Sequence, residues 1–406
     1  MGISISLQAE FTCFGRVKFP SFANLSWKVV SVMLLRLNGE ILSKDIVIAS
    51  VRDGLITEAN RALLPLFLKR TGDVESWLRG RAIDSHRTNS RLLKKALRLS
   101  SADDVTVVMH VKAATITDSY WFRIEGSSMC YEDVRFKANY FDTLALRGDP
   151  DSFNQPYSPT PELTNIGSFE KCWRLIDDKW WMFKQGNDLE RFSELFASKL
   201  GQALGFPMAE CFPEDGVIKS LDFTDGASVN YEAADGIVGE DEDYFVNFEA
   251  FWQLSPKLAE QYLQIIYLDT LCFNMDRHTK NYGVLRDVET GEILRMAPNF
   301  DNNIALFSRG VPKDLSRRND KLVSLFCELL SPEANNKSIV LASGEDNTSM
   351  LLSQYALDII RRFSIPSFDI VNSCLDQIDM AIDRGTVCAF IMNGSNQIQD
   401  CIKKQH

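Results

Sequence analysis

The sequence feature that most constrains this chain is a polar loop, residues 274–283, placed directly after its most hydrophobic segment. Residues 254–273 carry apolar side chains at helical spacing and few charges in their second half, which predicts a central buried helix. The loop that follows contains Asp276 and Asn281. A predicted hairpin then separates the loop from Asp301, and we expect this hairpin to bring Asp301 back to the neighbourhood of Asn281.

The order and spacing of these polar groups match what phosphoryl transfer from ATP requires. Asp276 can accept the proton of an acceptor hydroxyl, while Asn281 and Asp301 offer the oxygen ligands that magnesium takes beside phosphates. Lys280 could neutralise a phosphate, and His278 is either a base or a hydrogen-bond partner that holds the loop. The alternative is a purely structural turn network, because Asp and Asn favour turns.

Two charged residues upstream favour the catalytic interpretation. Residues 173–176 and 180–184 read as a hairpin that ends on Lys184, and residues 189–204 show one apolar helical face that carries Glu194. Kinases use a strand lysine and a helix glutamate in this order to place the lysine on the ATP phosphates. Taken singly, Lys184 could extend to solvent and Glu194 could favour a helix N-terminus. Together with the downstream groups they predict an ATP-dependent kinase.

Bulk composition narrows the class of protein further. A chain of 406 residues exceeds a usual single core, so we expect two lobes or domains. The net charge of -11 argues against a strongly basic nucleic-acid surface, and we expect no direct nucleic-acid binding. Nine scattered cysteines without a C-x-x-C pair indicate reduced thiols and a cytoplasmic location. No apolar run approaches a membrane span, and residues 1–20 lack the features of a signal peptide.

The first third of the chain contains no recognisable chemistry. Asn38-Gly39 between apolar runs predicts a hairpin turn, residues 60–70 a helix, and residues 105–114 a buried strand or short helix. The basic residues within 75–97 could bind nucleic acid or phosphate, but a solvated helical face is the favoured interpretation. The proline-rich segment 147–162 predicts a linker or ordered loop at a domain boundary.

The remaining segments predict one connector and a helical C-terminal part. Residues 217–224 read as a strand leading into a connector, which in a kinase would pass the adenine ring. Residues 314–330, 350–363 and 368–392 predict helices, and the polar end, residues 393–406, is expected to fray.

The whole pattern resembles the HipA-like serine/threonine kinases of bacteria, which are known from toxin–antitoxin systems and are related to the phosphoinositide kinases. The loop, the downstream aspartate and the upstream segments each resemble a family motif: Asn274-x-Asp276-x-His278-x-Lys280-Asn281-Tyr282-Gly283, Asn299-Phe300-Asp301, the phosphate loop Thr164-Asn165-Ile166-Gly167-Ser168-Phe169-Glu170-Lys171, and Ala203-Leu204-Gly205-Phe206-Pro207. The resemblance covers roughly residues 160–330 together with a helical C-terminal part.

The resemblance implies an α+β, two-lobed protein-kinase-like fold, with a mixed N-lobe and a mainly helical C-lobe. It implies an α/β region of unknown role at 1–150, the N-lobe at 151–225 and the C-lobe at 226–406. ATP and Mg²⁺ are the implied cofactors, with Asp276 as catalytic base and with Asn281 and Asp301 as metal ligands.

The same resemblance implies that the nucleotide is bound by residues of the phosphate loop and by two residues outside it. Those in the loop are Thr164, Ile166, Gly167 and Ser168, and those outside it are Lys184 and Glu194. Family members can autophosphorylate within this loop, which expels it and switches the kinase off. Thr164 falls at that position, with Ser168 as the second candidate.

Partners and substrate are less constrained. A protein substrate is implied, with translation factors as the family precedent, and an antitoxin is a possible partner. Residues 1–150 do not resemble the N-terminal region with which the toxin HipA contacts its DNA-binding antitoxin. A small-molecule or lipid kinase on the same fold is one alternative function, and a non-enzymatic interaction protein is another.

Overall fold

The structure is a computed structural model, and it describes residues 37–343 and 346–405. The expectations for residues 1–20, and the apolar run that precedes Asn38, lie outside the described residues.

The first part of the described chain is built on a four-stranded antiparallel sheet with strand order β3-β2-β1-β4. Its strands are β1 (Gly39–Ser43), β2 (Ile46–Arg52), β3 (Leu55–Ala59) and β4 (Tyr120–Ile124). The turn predicted at Asn38-Gly39 is wrong, because Gly39 is the first residue of β1 and the hairpin turns at residues 44–45. A Cβ atom at Gly39 would lie 2.2 Å from the carbonyl oxygen of Arg123 on β4. Glycine is therefore needed here because β1 and β4 approach closely, and not because the chain turns.

The same part of the chain contains short helices: α1 (Leu66–Thr71), α2 (Val74–Arg79), α3 (Thr88–Ala96), α4 (Asp104–Met109), α5 (Tyr131–Val134) and α6 (Asp142–Arg147). The helix predicted for 60–70 is confirmed only in its second half, because it begins directly after Pro65 and ends at Thr71. Of the two alternatives for 105–114, the helix is confirmed. The solvated face predicted for 75–97 is wrong for Arg81 and Arg87, which are buried. Their guanidinium groups are bonded to partners inside the protein.

A second four-stranded antiparallel sheet, with order β5-β6-β8-β7, and one long helix follow. Its strands are β5 (Lys171–Ile176), β6 (Lys179–Lys184), β7 (Cys211–Glu214) and β8 (Val217–Leu221), and the helix is α7 (Asp188–Ala203). The hairpin that ends on Lys184, the helix that carries Glu194 and the strand before the connector are all confirmed. Two 3₁₀ turns, Pro150–Asn154 and Pro161–Thr164, occupy the predicted proline-rich loop.

The rest of the chain is mainly helical. A small sheet of β9 (Val229–Ala233), β10 (Gly283–Asp287) and β11 (Ile293–Met296) has the order β11-β10-β9. The helices are α8 (Asp235–Val238), α9 (Tyr244–Leu254), α10 (Pro256–Cys272), α11 (Lys321–Leu329), α12 (Leu352–Ile360), α13 (Phe368–Leu375) and α14 (Arg384–Lys404). The predicted central helix, α10, is confirmed, and its second half is buried in the largest apolar cluster of the described residues.

Several expectations for the C-terminal third are wrong. Residues 314–320 lie outside α11, residues 350 and 351 belong to a strand, and residues 368–392 are divided between two helices. The sequence pattern does not predict the hairpin of β12 (Ser338–Ser343) and β13 (Asp346–Leu351). The end of the chain does not fray, because Ile398 and Ile402 are buried against the core and extend α14 to Lys404. The expectation of reduced thiols is wrong for one pair, since Cys327 and Cys401 form a disulfide.

The overall architecture is the predicted α+β, two-lobed arrangement, with strands concentrated before residue 234 and helices after it. The domain limits at 150 and 225 stay predictions. In the part of the chain that the structure describes, none of the helices is both long enough and apolar enough to cross a membrane.

Candidate active site

The polar loop begins where α10 ends. Phe273 closes the helix in the left-handed region, with φ 54°. His278 N donates to the carbonyl of Asp276 at 2.9 Å, and Asn281 N donates to the carbonyl of His278 at 2.8 Å. The Asn281 side chain donates through Nδ2 to the carbonyl of Asp276, also at 2.9 Å. These bonds fold the loop with the Asp276 side chain exposed and the Asn281 side chain buried, and the side-chain bond of Asn281 uses its Nδ2 atom and not its Oδ1 atom.

Lys184, Glu194 and Asp301 meet across the two lobes. The Lys184 ammonium forms an ion pair with the Asp301 carboxylate and lies 3.6 Å from Glu194 Oε2. It also donates to Asn303 Oδ1 at 2.8 Å. Glu194 Oε1 in turn accepts from the backbone N–H of Asn302 at 3.1 Å. Lys184 and Glu194, which are close in sequence, are thus brought to the same point as Asp301, 117 residues after Lys184. Asn303 is a further member that sequence reasoning missed.

The charges in this cluster reinforce one another. Burial alone would lower the pKa of Lys184, but the carboxylates of Asp301 and Glu194 raise it above its ordinary value. Burial would raise the pKa of Asp301, but Lys184 and Lys171 hold it far below its usual range. Both groups are therefore charged at neutral pH, which is the form in which a lysine can bind phosphate and an aspartate can bind magnesium.

Arg277 is the central structural residue of the site, and sequence reasoning missed it. It is buried, and its Nε and Nη2 atoms bind both oxygens of the fully buried Asp269 on α10, at 2.8 and 2.9 Å. Its Nη1 donates to the carbonyls of Asn281 and Phe300, both at 2.7 Å. One side chain therefore ties the loop of Asn281 to the segment of Asp301. A lone carboxylate in the apolar half of a predicted helix was the available signal, because a buried charge requires a partner.

The same arginine also fixes two amide side chains. Its Nη2 atom donates to Asn299 Oδ1 at 2.9 Å and to Asn302 Oδ1 at 2.8 Å. Asp301 lies between these two residues in the left-handed region, with φ 61°. This conformation is uncommon for a residue other than glycine, and it is held by the bonds on both sides of Asp301.

The predicted phosphate loop lies over the lysine cluster. Lys171 pairs with Lys184 in the β5–β6 register. A Cβ atom at Gly167, where φ is 104°, would lie 2.4 Å from Lys171 Nζ, so the ammonium reaches the loop backbone. The ring of Phe169 lies 5.1 Å from Lys184 Nζ. Burial lowers the pKa of Lys171 to about 8, and Lys184 adds to the lowering while Asp301 opposes it.

The remaining predicted loop residues differ in exposure. Ile166 and Ser168 are exposed. Thr164 is buried, and its hydroxyl donates to the carbonyl of Ala114 at 2.8 Å and to that of Pro161 at 3.2 Å. The Thr164 hydroxyl is therefore directed at the first part of the chain in this structure.

His278 and Lys280 lie at the rim of the loop. Lys280 is exposed, and its N–H donates to His278 Nδ1 at 3.3 Å. This contact fits the interpretation of His278 as a residue that holds the loop. Tyr231 on β9 donates its hydroxyl to the Lys280 carbonyl at 3.3 Å.

Three aromatic rings join the connector to the Asp301 segment. The rings of Phe223, Tyr231 and Phe300 lie pairwise at centroid separations of 5.5 to 5.6 Å. Edge-to-face and tilted contacts of this kind are favourable for aromatic side chains. Phe223 follows β8, near the end of the segment 217–224 that was predicted as a strand leading into the connector, so an apolar wall lies beside the position expected for an adenine ring.

The oxygen donors fit magnesium better than a transition metal. Among the described residues there is no group of three or more His, Cys, Asp and Glu side chains that could hold a metal ion. The site instead offers one carboxylate, Asp301, and the amide oxygen of Asn281. Magnesium is bound in this manner, through one or two protein oxygens together with substrate phosphates and water.

Comparison with known proteins shows which solved structures have a similar fold. No protein-family model matches the chain, and no curated protein matches it significantly. Among solved structures, the chain is similar to HipA of Shewanella oneidensis MR-1, in a complex with HipB and operator DNA, with a TM-score of 0.55 and 12% identity over 90% of this chain and 97% of that chain. It also matches the proinflammatory kinase CtkA of Helicobacter pylori, with a TM-score of 0.44 and 18% identity over 58% of this chain and 93% of that chain. The similarity to the Shewanella structure shows that the chain has the HipA-like kinase fold, as its motifs predict.

Proposed function

We propose that this chain is an ATP-dependent serine/threonine protein kinase of the HipA type that acts with Mg²⁺. The observation that carries the proposal is the meeting of Lys184, Glu194 and Asp301, in the order and spacing that the sequence motifs require. A fold alone does not specify chemistry. These charged side chains supply the specific argument, because Glu194 is buried, Lys184 and Asp301 are partly buried, and the three are paired as a phosphate or metal site demands.

Each residue then has a role in the transfer. Lys184 and Lys171 hold the ATP phosphates, and Asn281 and Asp301 would hold the magnesium ion, which neutralises charge that develops on the phosphates. The acceptor oxygen forms a bond to the γ-phosphorus while the bond to the bridging β,γ-oxygen breaks and ADP leaves. The proton of the acceptor hydroxyl passes to the exposed carboxylate of Asp276. Arg277 keeps Asn281 and Asp301 together during this step.

The partners follow by analogy. The Shewanella protein is found with HipB and operator DNA in a toxin–antitoxin system. We extend this to the possibility of an antitoxin partner here, to an unidentified protein substrate that could be translation-related, and to autophosphorylation at Thr164 or Ser168.

One assay tests the activity. Pure protein is incubated with labelled ATP and magnesium, alone and with cell lysate, beside Asp276→Ala. Loss of a general base lowers the rate by about 10²–10⁴-fold, so labelling of protein should nearly vanish in the variant. Asp358→Ala, which removes an exposed carboxylate on α12, is the matched control and should label as the wild type does.

The outcomes separate the alternatives. Label on protein supports the proposal, and label only on small molecules favours a small-molecule or lipid kinase. The absence of label, together with no thermal shift on adding nucleotide, would favour a non-enzymatic interaction protein.

A further inference from the structure

Residues between 83 and 114 form hydrogen bonds with the phosphate loop, residues 164–171, and with the residue before it. Ile83 N donates to the carbonyl of Leu163 at 2.9 Å, just before the loop. Asn89 N donates to Glu170 Oε1 at 3.1 Å, near the end of the loop. The contact between Thr164 and the Ala114 carbonyl adds a third point. Residues of α3, the segment before it and the segment after α4 therefore surround a loop that is 50 or more residues away in sequence.

Arg87 makes the contacts that matter most for the shape of the loop. It is 1% exposed. Its Nη1 atom donates to the carbonyl of Asn165 at 3.0 Å, and its Nη2 atom donates to the carbonyl of Lys171 at 2.6 Å. These two carbonyls mark the beginning and the end of the loop. Because the guanidinium group is planar and rigid, it fixes the spacing between them.

Arg87 is not held there by a close ion pair. Its nearest carboxylate is Glu170, at 3.9 Å from Nε, and Nε has no hydrogen-bond partner among the described residues. A buried cation is costly unless its surroundings compensate for the lost water. Backbone carbonyls of the loop provide that compensation, so the position of the cation and the conformation of the loop depend on each other.

We infer that Arg87 is a positioning residue that fixes the width of the phosphate loop, and hence the placement of Lys171 beside Lys184. The inference rests on the proposed function for its consequence in catalysis, but the contacts themselves do not. It assigns a role to residues 83–89: they are part of the nucleotide site's support. Lysine at position 87 would keep the charge but could not reach both carbonyls with a fixed geometry.

The test compares two arginine-to-lysine variants of the full chain. Arg87→Lys removes the guanidinium group that donates to both loop carbonyls. Arg286→Lys is the control: Arg286 is also buried and donates to the carbonyls of Ala62 and Leu64, but it pairs with Glu232 and has no bond to the loop. Hydrogen exchange is measured for peptides that cover 163–172, and kcat and KM for ATP are measured in parallel.

We expect faster exchange in this peptide for Arg87→Lys only. Misplacement of a site by about 1 Å can cost about a hundredfold in rate, and we expect kcat/KM for ATP to fall by roughly ten- to a hundredfold, mainly through KM. Equal loop exchange in the two variants would overturn the inference. If the wild type has no kinase activity, faster loop exchange still supports the structural role while the proposed function fails.

A gentler variant guards against misfolding of Arg87→Lys. Glu170→Ala removes the half-buried carboxylate that accepts from Asn89 N, while Arg87 stays in place. Because both bonds from Arg87 to the loop carbonyls remain in this variant, we expect exchange at 163–172 to stay close to that of the wild type. Exchange as fast as in Arg87→Lys, with Tm unchanged, would contradict the inference.

Discussion

Replacing Arg277 should lower both the thermal stability of the chain and its kinase activity, and the two losses can be measured separately. Arg277→Met keeps an apolar stem but removes every bond to Asp269, Asn281 and Phe300. Asp269 is fully buried and would keep only its contact with Asn274 Nδ2, at 3.0 Å. Removing one partner of a buried ion pair costs about 3–5 kcal/mol, because the other charge is left without compensation. At roughly 2–4 °C per kcal/mol, Tm should fall by on the order of 10 °C.

The activity of this variant should fall by more than its stability explains. Without Arg277, the carbonyls of Asn281 and Phe300 lose their shared donor, so the two segments that we propose to bind magnesium are free to separate. We expect kcat/KM at a temperature well below Tm to fall by roughly a hundredfold or more. Kinase assays at several magnesium concentrations, together with thermal unfolding, measure the two effects separately.

Arg317→Met provides the matched control. Arg317 is also buried in the C-lobe, pairs with Asp320, and donates to the carbonyls of Thr270 and Leu271 at the end of α10. It should lose a similar amount of stability and keep most of the activity of the wild type. Equal activity losses in the two variants would refute the reasoning, since Arg277 would then act only through general stability.

Two further predictions concern the phosphate loop. Because burial lowers the pKa of Lys171 to about 8 from 10.5, the folded chain releases this proton first. The free energy of unfolding should therefore gain a stabilising contribution from Lys171 as pH rises between about 8 and 10.5, and ATP should bind more weakly above pH 8. Denaturant titrations and nucleotide-binding measurements at several pH values check the two trends. Lys171→Met should remove both. Intact mass after ATP incubation should show a phosphate on the wild type that is absent from Thr164→Ala, and an equal mass gain in both would exclude Thr164 as the site.

The elements around the site were predictable because their signals are local. The β5–β6 hairpin, α7 and α10 all follow from periodicity and turn residues that lie within each segment. The order of Lys184, Glu194 and Asp301 also predicts that they meet, since a kinase-like fold requires it. Where local signals competed with tertiary contacts, the predictions failed. The polar end of the chain is helical because Ile398 and Ile402 find a core to pack against, which no nearby residue indicates.

Positioning residues are harder to predict than the groups that face a ligand, and the reason is physical. A metal or phosphate ligand must have particular side-chain chemistry, so a motif reveals it. Arg87 and Arg277 bind chiefly backbone carbonyls and buried carboxylates, and any residue supplies a carbonyl. The partners of Arg87 lie 78 and 84 residues away, so the surrounding charge run resembles an ordinary solvated helix. What the sequence does offer is the unmatched charge: Asp269 in an apolar helix requires a cation, and a buried cation requires several acceptors. Unmatched charges of this kind near a motif therefore predict which residues hold the ligand-binding groups in place.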